Sequence, residues 1–531
     1  MSEGTCSFLD WFCRSLADAG MKHAFGVPGG GTSLDLLQGL KKQDIETVIT
    51  AREDAAVIMA GVSGVLAGAP GVAFTTKGPG LANAANGLAS AALDRLPALL
   101  ISEAFGKDEL SFLSHQVLSQ SDVVRPLLEN GQGRELKADQ DEVADWIAHG
   151  GSAPAAFFPS ASDLKTQVPE DIYKLNIEAG KLPDFEPAAK LLTEAKRPVV
   201  VVGLEAARST PGKALRDFVA ALGAPVLVTY MAKGSIADED PCYAGIFTGG
   251  AIEQPCMTAA DLFVLVGLDP VELIRKPWTY EAPVLDICER RYDPHYLEPA
   301  ARVEALLSDS LSRLVEYVPD NEWTEQEIAK LRADYFQGMS EGETSGLASA
   351  AVVKALNASF DNGPRLAVDA GAHMFSACAF WPAKQPNDLL ISNGLATMGF
   401  AVPAAIAAAL HDPERGAIAL TGDGGFLMCL GELKTAAEQA ANLTVVVFND
   451  GRLSLIDIKR EDRQMPDLGL SWSPPDFATV AKGFGFQSWQ VNDASELSSV
   501  LDEAAAASGP RLVDIRIDAS GYRDQMKALR G

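Results

Sequence analysis

Residues 421–455, TGDGGFLMCLGELKTAAEQAANLTVVVFNDGRLSL, decide the reading of this chain. The stretch opens with Gly422-Asp423-Gly424-Gly425 after one apolar run, GAIALT (416–421). It closes with Asn449-Asp450 at the end of a second, LTVVVFN (443–449). Asp423 and Asp450 stand 27 positions apart. That is room for a turn, a helix and a return strand, so both acids can reach one point at the strand ends. Glycines in the turn let backbone N–H groups approach phosphate oxygens, and the following helix offers its positive end. Two hard oxygen ligands beside such a turn suit Mg2+ or Ca2+ carrying a diphosphate. A lone Gly-Asp-Gly is an ordinary turn. The spacing, the Asn-Asp pair and the two flanking runs are what give it chemical meaning.

Similar apolar runs extend outward from this stretch in three blocks. The first block holds HAFGV (23–27), IETVIT (45–50), GVAFT (71–75), PALLIS (97–102) and PAAFFP (154–159). The second holds PVVVVG (198–203), PVLVTY (225–230), DLFVLVG (261–267) and PVLDIC (283–288). The third adds RLAVDA (365–370), DLLIS (388–392) and RLVDIR (511–516) to the two runs already quoted. Continuous Val/Ile/Leu runs separated by helical stretches read as buried parallel strands with crossover helices. The fold class predicted is α/β, with three doubly wound parallel-sheet domains over residues 1–165, 186–337 and 346–531. Segments 165–187 and 337–347, rich in Pro, Gly, Ser and charge, have linker composition.

Bulk properties narrow the function. A chain of 531 residues with a net charge of −27 is a poor partner for nucleic acid or an anionic membrane. No apolar run approaches the roughly 18 residues of a membrane helix, and the start, MSEGTCSFLDWF, lacks the pattern of an export signal. The seven cysteines form no CxxC pair and the six histidines no HxxxH. Reduced thiols in a cytoplasmic protein without a zinc site are expected.

Four further motifs complete a pattern. Glu53, in TAREDAAVIMAGVSGVLAG, lies where a strand hands over to a small-residue helix; taken alone, it is a helix-start acid favoured by the dipole. Gly78-Pro79-Gly80-Leu81-Ala82-Asn83 follows the run at 71–75, Asp369-Ala370-Gly371-Ala372-His373 follows that at 365–369, and the fourth is Asn393-Gly394-Leu395-Ala396-Thr397-Met398-Gly399-Phe400. With the Gly-Asp-Gly and Asn-Asp elements, they resemble the thiamine diphosphate (ThDP)-dependent decarboxylase/acetolactate synthase family along nearly the whole chain.

The resemblance implies a role for each residue. Asp423, Asp450 and the backbone carbonyl of Arg452 would hold the Mg2+ or Ca2+. Gly422, Gly424, Gly425 and His373 would face the diphosphate. Met398 would wedge between the two rings of the cofactor, and the Ala396 carbonyl would accept from its 4′-amino group. Glu53 would contact N1′ of the aminopyrimidine, with Asn83 in the loop against that ring. His115 and Gln116, in LSHQVLSQSDVVRPL, are the substrate-facing candidates, since a histidine there can shuttle a proton near neutral pH. The cofactor would lie between two subunits, making a homodimer obligatory and a homotetramer usual.

The activity so implied is non-oxidative 2-oxo acid decarboxylation or carboligation through an enamine, with a 2-oxo acid or acyloin as substrate. Two departures tilt the reading away from acetolactate formation. The segment VGLDPVELIRKPW (266–278) places Arg275 poorly for recognising a second 2-oxo acid, and GGSAPAAFF (150–158) replaces a Gly-Arg-Pro-Gly-Pro-Val pattern. The alternatives are an acetolactate synthase-like transferase and a non-catalytic ThDP-fold binding protein. The second block lacks GxGxxG, so FAD is not favoured.

Overall fold

The computed structural model describes residues 4–129, 132–149, 153–170, 183–273, 278–292, 297–340, 342 and 344–530. Three six-stranded sheets form, each parallel throughout. Every apolar run singled out in the sequence becomes a strand, the middle ones being Gly71–Thr75, Leu262–Val266 and Leu443–Asn449. All residues of these three are buried. Helices cover both faces of such sheets, so their central strands carry no polar side for water.

Strands are numbered here one to six in chain order within each sheet. The first sheet comprises His23–Val27, Glu46–Ile49, Gly71–Thr75, Ala98–Ser102, Arg134–Leu136 and Ala155–Phe157; the third comprises Arg365–Val368, Leu389–Ile391, Ala417–Gly422, Leu443–Asn449, Gln487–Val491 and Arg511–Arg516. Both run 2-1-3-4-6-5 across the sheet. The middle sheet comprises Pro198–Val202, Val226–Val228, Tyr243–Ile246, Leu262–Val266, Val284–Cys288 and Ala301–Glu304, and runs 3-2-1-4-5-6. That is the order of dinucleotide-binding sheets, with its switch point between strands 1 and 4. A short antiparallel pair, Thr5–Ser7 with Gln167–Pro169, ties the start of the first unit to the segment that leaves it.

The three units share apolar cores. Helix Glu53–Ala67 of the first unit packs on helix Ala401–His411 of the third, and their alanines join one buried cluster. Small side chains let such helices approach closely. A second cluster runs unbroken from the middle unit into the third. Polar ties are as specific. Buried Asp94 accepts from Ser392 Oγ at 2.6 Å and Gly394 N at 2.8 Å, and Arg95 grips Asp269 with two nitrogens at 2.8 and 3.1 Å.

Candidate functional site

In a parallel sheet the carboxyl ends of adjacent strands, either side of a change in strand order, are where a ligand finds free backbone donors. In the third unit this edge opens into a cavity of about 560 Å³. Lining it are Gly371 and His373 after strand 1, Ala396 and Met398 after strand 2, Gly422 to Gly425 after strand 3, and Asp450 and Arg452 after strand 4. The motifs drawn from distant parts of the third block therefore meet in one place.

Asp423 begins helix Asp423–Cys429 and is 2% exposed. One carboxyl oxygen accepts from Gly451 N and from Trp472 Nε1, each at 3.0 Å. Burial and the charge of Asp450 push its carboxyl up to about 6. Asp450 accepts from Arg452 N at 3.2 Å and from the Ser454 hydroxyl, and burial raises its carboxyl as well. Two carboxyl groups that raise each other's cost of ionising form a donor set suited to a hard divalent cation. His373 is 5% exposed, and its Nε2 is buried with no hydrogen-bond partner. Burial holds its imidazole down to about 4, so it is neutral near pH 7. The ring lies against the glycine-rich turn, its Cε1 and Nδ1 each 3.2 Å from a Cβ added at Gly422, and an orphaned nitrogen on that ring fits a phosphate-bearing ligand that would supply the missing partner.

The glycines are there for clearance. A Cβ on Gly424 would lie 3.5 Å from Met398 Cε and 3.1 Å from Leu453 Cδ2, and one on Gly425 would meet the Asp369 carboxyl at 2.4 Å. Ala396 holds φ +54°, a left-handed backbone that exposes it on the cavity lip. Asp369, fully buried and pushed up to about 6 by burial, fastens the Met398 loop. It accepts from Gly399 N at 2.9 Å, Phe400 N at 3.2 Å and Thr421 Oγ1 at 2.8 Å. Asp369, Trp472 and Ser454 are supports that the sequence reading did not assign. The run Asp369–His373 contained a signal for the first; the tryptophan and serine carry none.

Glu53, Asn83, His115 and Gln116 do not line this cavity within one chain. They gather instead on the corresponding edge of the first unit. Asn83 Nδ2 donates to Glu53 Oε2 at 3.2 Å, and a Cβ on Gly80 would lie 3.6 Å from Glu53 Oε1. Gly78, at φ +67°, sits so close to the 115–116 loop that a Cβ would meet the Gln116 carbonyl at 2.8 Å. His115 and Gln116 are exposed. Arg275 lies outside the described residues.

The middle unit arranges its edge differently. At its switch point Gly203 touches the Gly267-Leu268 turn so closely that a Cβ would meet Leu268 Cα at 2.4 Å. Glu272, 3% exposed, fills what remains. Its Oε2 accepts from Leu204 N at 2.8 Å and Asp269 N at 3.2 Å. The donors at the start of helix Leu204–Ser209 are thus spent on the chain itself.

Sequence comparison agrees with this layout. The thiamine pyrophosphate enzyme N-terminal TPP binding domain matches residues 7–124, the central domain residues 185–288, and the C-terminal TPP binding domain residues 369–515. The chain belongs to the thiamine pyrophosphate-dependent enzymes of the acetolactate synthase-like family. It is 28% identical to an acetolactate synthase of Bacillus subtilis (strain 168), over 95% of this chain and 92% of that one. It is 27% identical to a pyruvate oxidase of Lactiplantibacillus plantarum, over 93% and 86% of the two chains. To the acetolactate synthase isozyme 3 large subunit of Escherichia coli (strain K12) it is 26% identical, over 98% and 96%. It is therefore a ThDP-dependent enzyme of the acetolactate synthase/pyruvate oxidase type. Among the described residues no helix is long and apolar enough to cross a membrane.

Proposed function

We propose that this enzyme is a Mg2+-dependent carboligase. It removes CO2 from a 2-oxo acid and joins the remaining acyl fragment to a second carbonyl compound, by an acetolactate synthase-like transfer between two 2-oxo acids. The cofactor part of the reading rests on buried Asp423 and half-buried Asp450 lining the same cavity as His373, whose Nε2 is without a hydrogen-bond partner. What weighs for transfer, against the two departures at 150–158 and 266–278, is the likeness to acetolactate synthases along almost the whole chain. ThDP, when bound, supplies the electron sink that lets a 2-oxo acid lose CO2. Asp423, Asp450 and the Arg452 carbonyl would hold the cation. Gly422, Gly424, Gly425 and His373 would accept the diphosphate, and Ala396 and Met398 would orient the rings. Glu53 would hold or release a proton at the aminopyrimidine, with Asn83 steadying it.

Because the Glu53 cluster and the cavity are separate in one chain, the working site is read as shared between two subunits of at least a homodimer. Exposed apolar side chains on both halves support this: Phe112 on the first unit is 75% exposed, and Met428 on helix Asp423–Cys429 is 54% exposed. Flavin is not part of this reading, because Glu272 takes the Leu204 N–H at the switch point of the middle sheet.

The test supplies pyruvate, ThDP and Mg2+ and identifies the products. Acetolactate is expected. Acetaldehyde alone would favour the second reading, simple decarboxylation, for which His115 beside the Gly78 turn is a plausible proton donor. A protein that takes up ThDP but consumes no 2-oxo acid would defeat both.

A further inference from the structure

The first unit presents one more charged pair on the edge that carries Glu53. Lys77 follows strand Gly71–Thr75 and Glu103 follows strand Ala98–Ser102. Lys77 Nζ donates to Glu103 Oε2 at 2.8 Å, with side chains 19% and 2% exposed. Glu103 is pinned from the other side as well, its Oε1 accepting from Gly31 N at 3.0 Å and Ser33 N at 2.9 Å. The Lys77 ammonium lies 4.8 Å from the centre of the Phe105 ring. One hydrogen bond and one ring face therefore fix the lysine, and among the described residues that bond uses one of its three donors.

Its position matters more than the pair. Lys77 immediately precedes Gly78, whose turn touches the Gln116 carbonyl and leads through Gly80 to Glu53 and Asn83. Across from it Gly30 faces open space, with nothing within 4 Å of a Cβ added there. The other cation at this edge, Arg52, is committed to Asp54 through bonds of 2.9 and 3.1 Å. In a protein of net charge −27, an anionic substrate needs a local cation to approach.

We propose that Lys77 is a specificity-determining residue that receives the carboxylate of the 2-oxo acid, and that Glu103 is the positioning residue holding it there. The inference rests on the 2-oxo acid reading above. A lysine held by a buried carboxylate keeps its direction, and a second anion can join its remaining donors. An uncharged carbonyl compound would gain nothing from it.

The experiment compares the wild-type enzyme with Lys77→Met and Lys77→Arg. ThDP affinity is measured by calorimetry, melting temperature by scanning, and KM and kcat with a panel of 2-oxo acids. For Lys77→Met we expect KM to rise about tenfold or more, with kcat changed less, ThDP binding intact, and Lys77→Arg recovering most of the loss. An unchanged KM in Lys77→Met overturns the proposal. So does a fall in kcat, ThDP affinity and melting temperature together with KM unmoved, which is the signature of a merely structural ion pair. A wild-type enzyme that binds ThDP and turns over no 2-oxo acid removes the underlying reading along with it.

Discussion

The first and third sheets have one strand order and opposite electrostatics at the same topological point. After strands 3 and 4 of the first sheet stand Lys77 and Glu103, an ion pair 2.8 Å apart in which the carboxylate takes one ammonium donor. After strands 3 and 4 of the third stand Asp423 and Asp450, two carboxyl groups whose ionisation is costly until a cation arrives. Strand ends in this topology supply a place, and the side chains decide whether the chain fills it or leaves it for a ligand. The middle sheet extends the contrast, since Glu272 occupies its switch point from within.

The comparison breaks most sharply at the acidic pair. Asp423→Asn removes one of two charges from the cation site, and we expect ThDP and Mg2+ affinity and turnover to collapse by roughly three orders of magnitude or more. Calorimetry and a product assay check this; near-normal binding would mean that the third sheet's opening is not the cofactor site.

Next in size is Glu53→Gln, which we expect to keep ThDP and lose about two orders of magnitude in turnover. Wild-type activity in that variant would remove the first sheet from the catalytic machinery. For the middle sheet, the enzyme mixed with excess FAD and desalted should show no flavin absorbance near 450 nm. Stoichiometric retention would show that Glu272 yields its place.

The smallest expected effect is on stability. Glu205 and Glu272, whose ordinary value is 4.5, are both pushed up to about 8 by burial. The folded protein then keeps protons that the unfolded chain has released. Their stabilising contribution is full below about 4.5 and is lost as pH rises through about 8. Melting temperature should therefore decline across that window, and Glu272→Gln should flatten the decline. An unchanged pH slope in the variant would place the titration elsewhere.

What was legible in the sequence follows burial. Central strands such as Pro198–Val202 and Ala98–Ser102 are buried throughout and almost wholly apolar, and the pattern exposes them directly. The strands of the six-stranded sheets not anticipated, Arg134–Leu136, Tyr243–Ile246, Ala301–Glu304 and Gln487–Val491, are all edge strands. One neighbour and a partly wet face relieve most of them of the need for an unbroken apolar run, as Arg134, Glu304 and Gln487 show by their exposure. The candidate site divides the same way. Residues in the third unit's glycine-rich motifs meet in the cavity, while Trp472, which binds Asp423 from 49 positions away, belongs to no motif.

By itself the sequence determined three parallel sheets, and it named the acids and glycines that meet in the third unit's cavity. Those signals are local: a run of apolar residues, a strand-to-helix turn, a fixed spacing. Only the tertiary structure decided which backbone donors at the strand ends are left free. That depends on a carboxylate arriving from a distant turn, as Glu103 does at Gly31 and Glu272 at Leu204. A hydrogen bond between residues some 70 positions apart has no local pattern in the chain, because only folding brings donor and acceptor together.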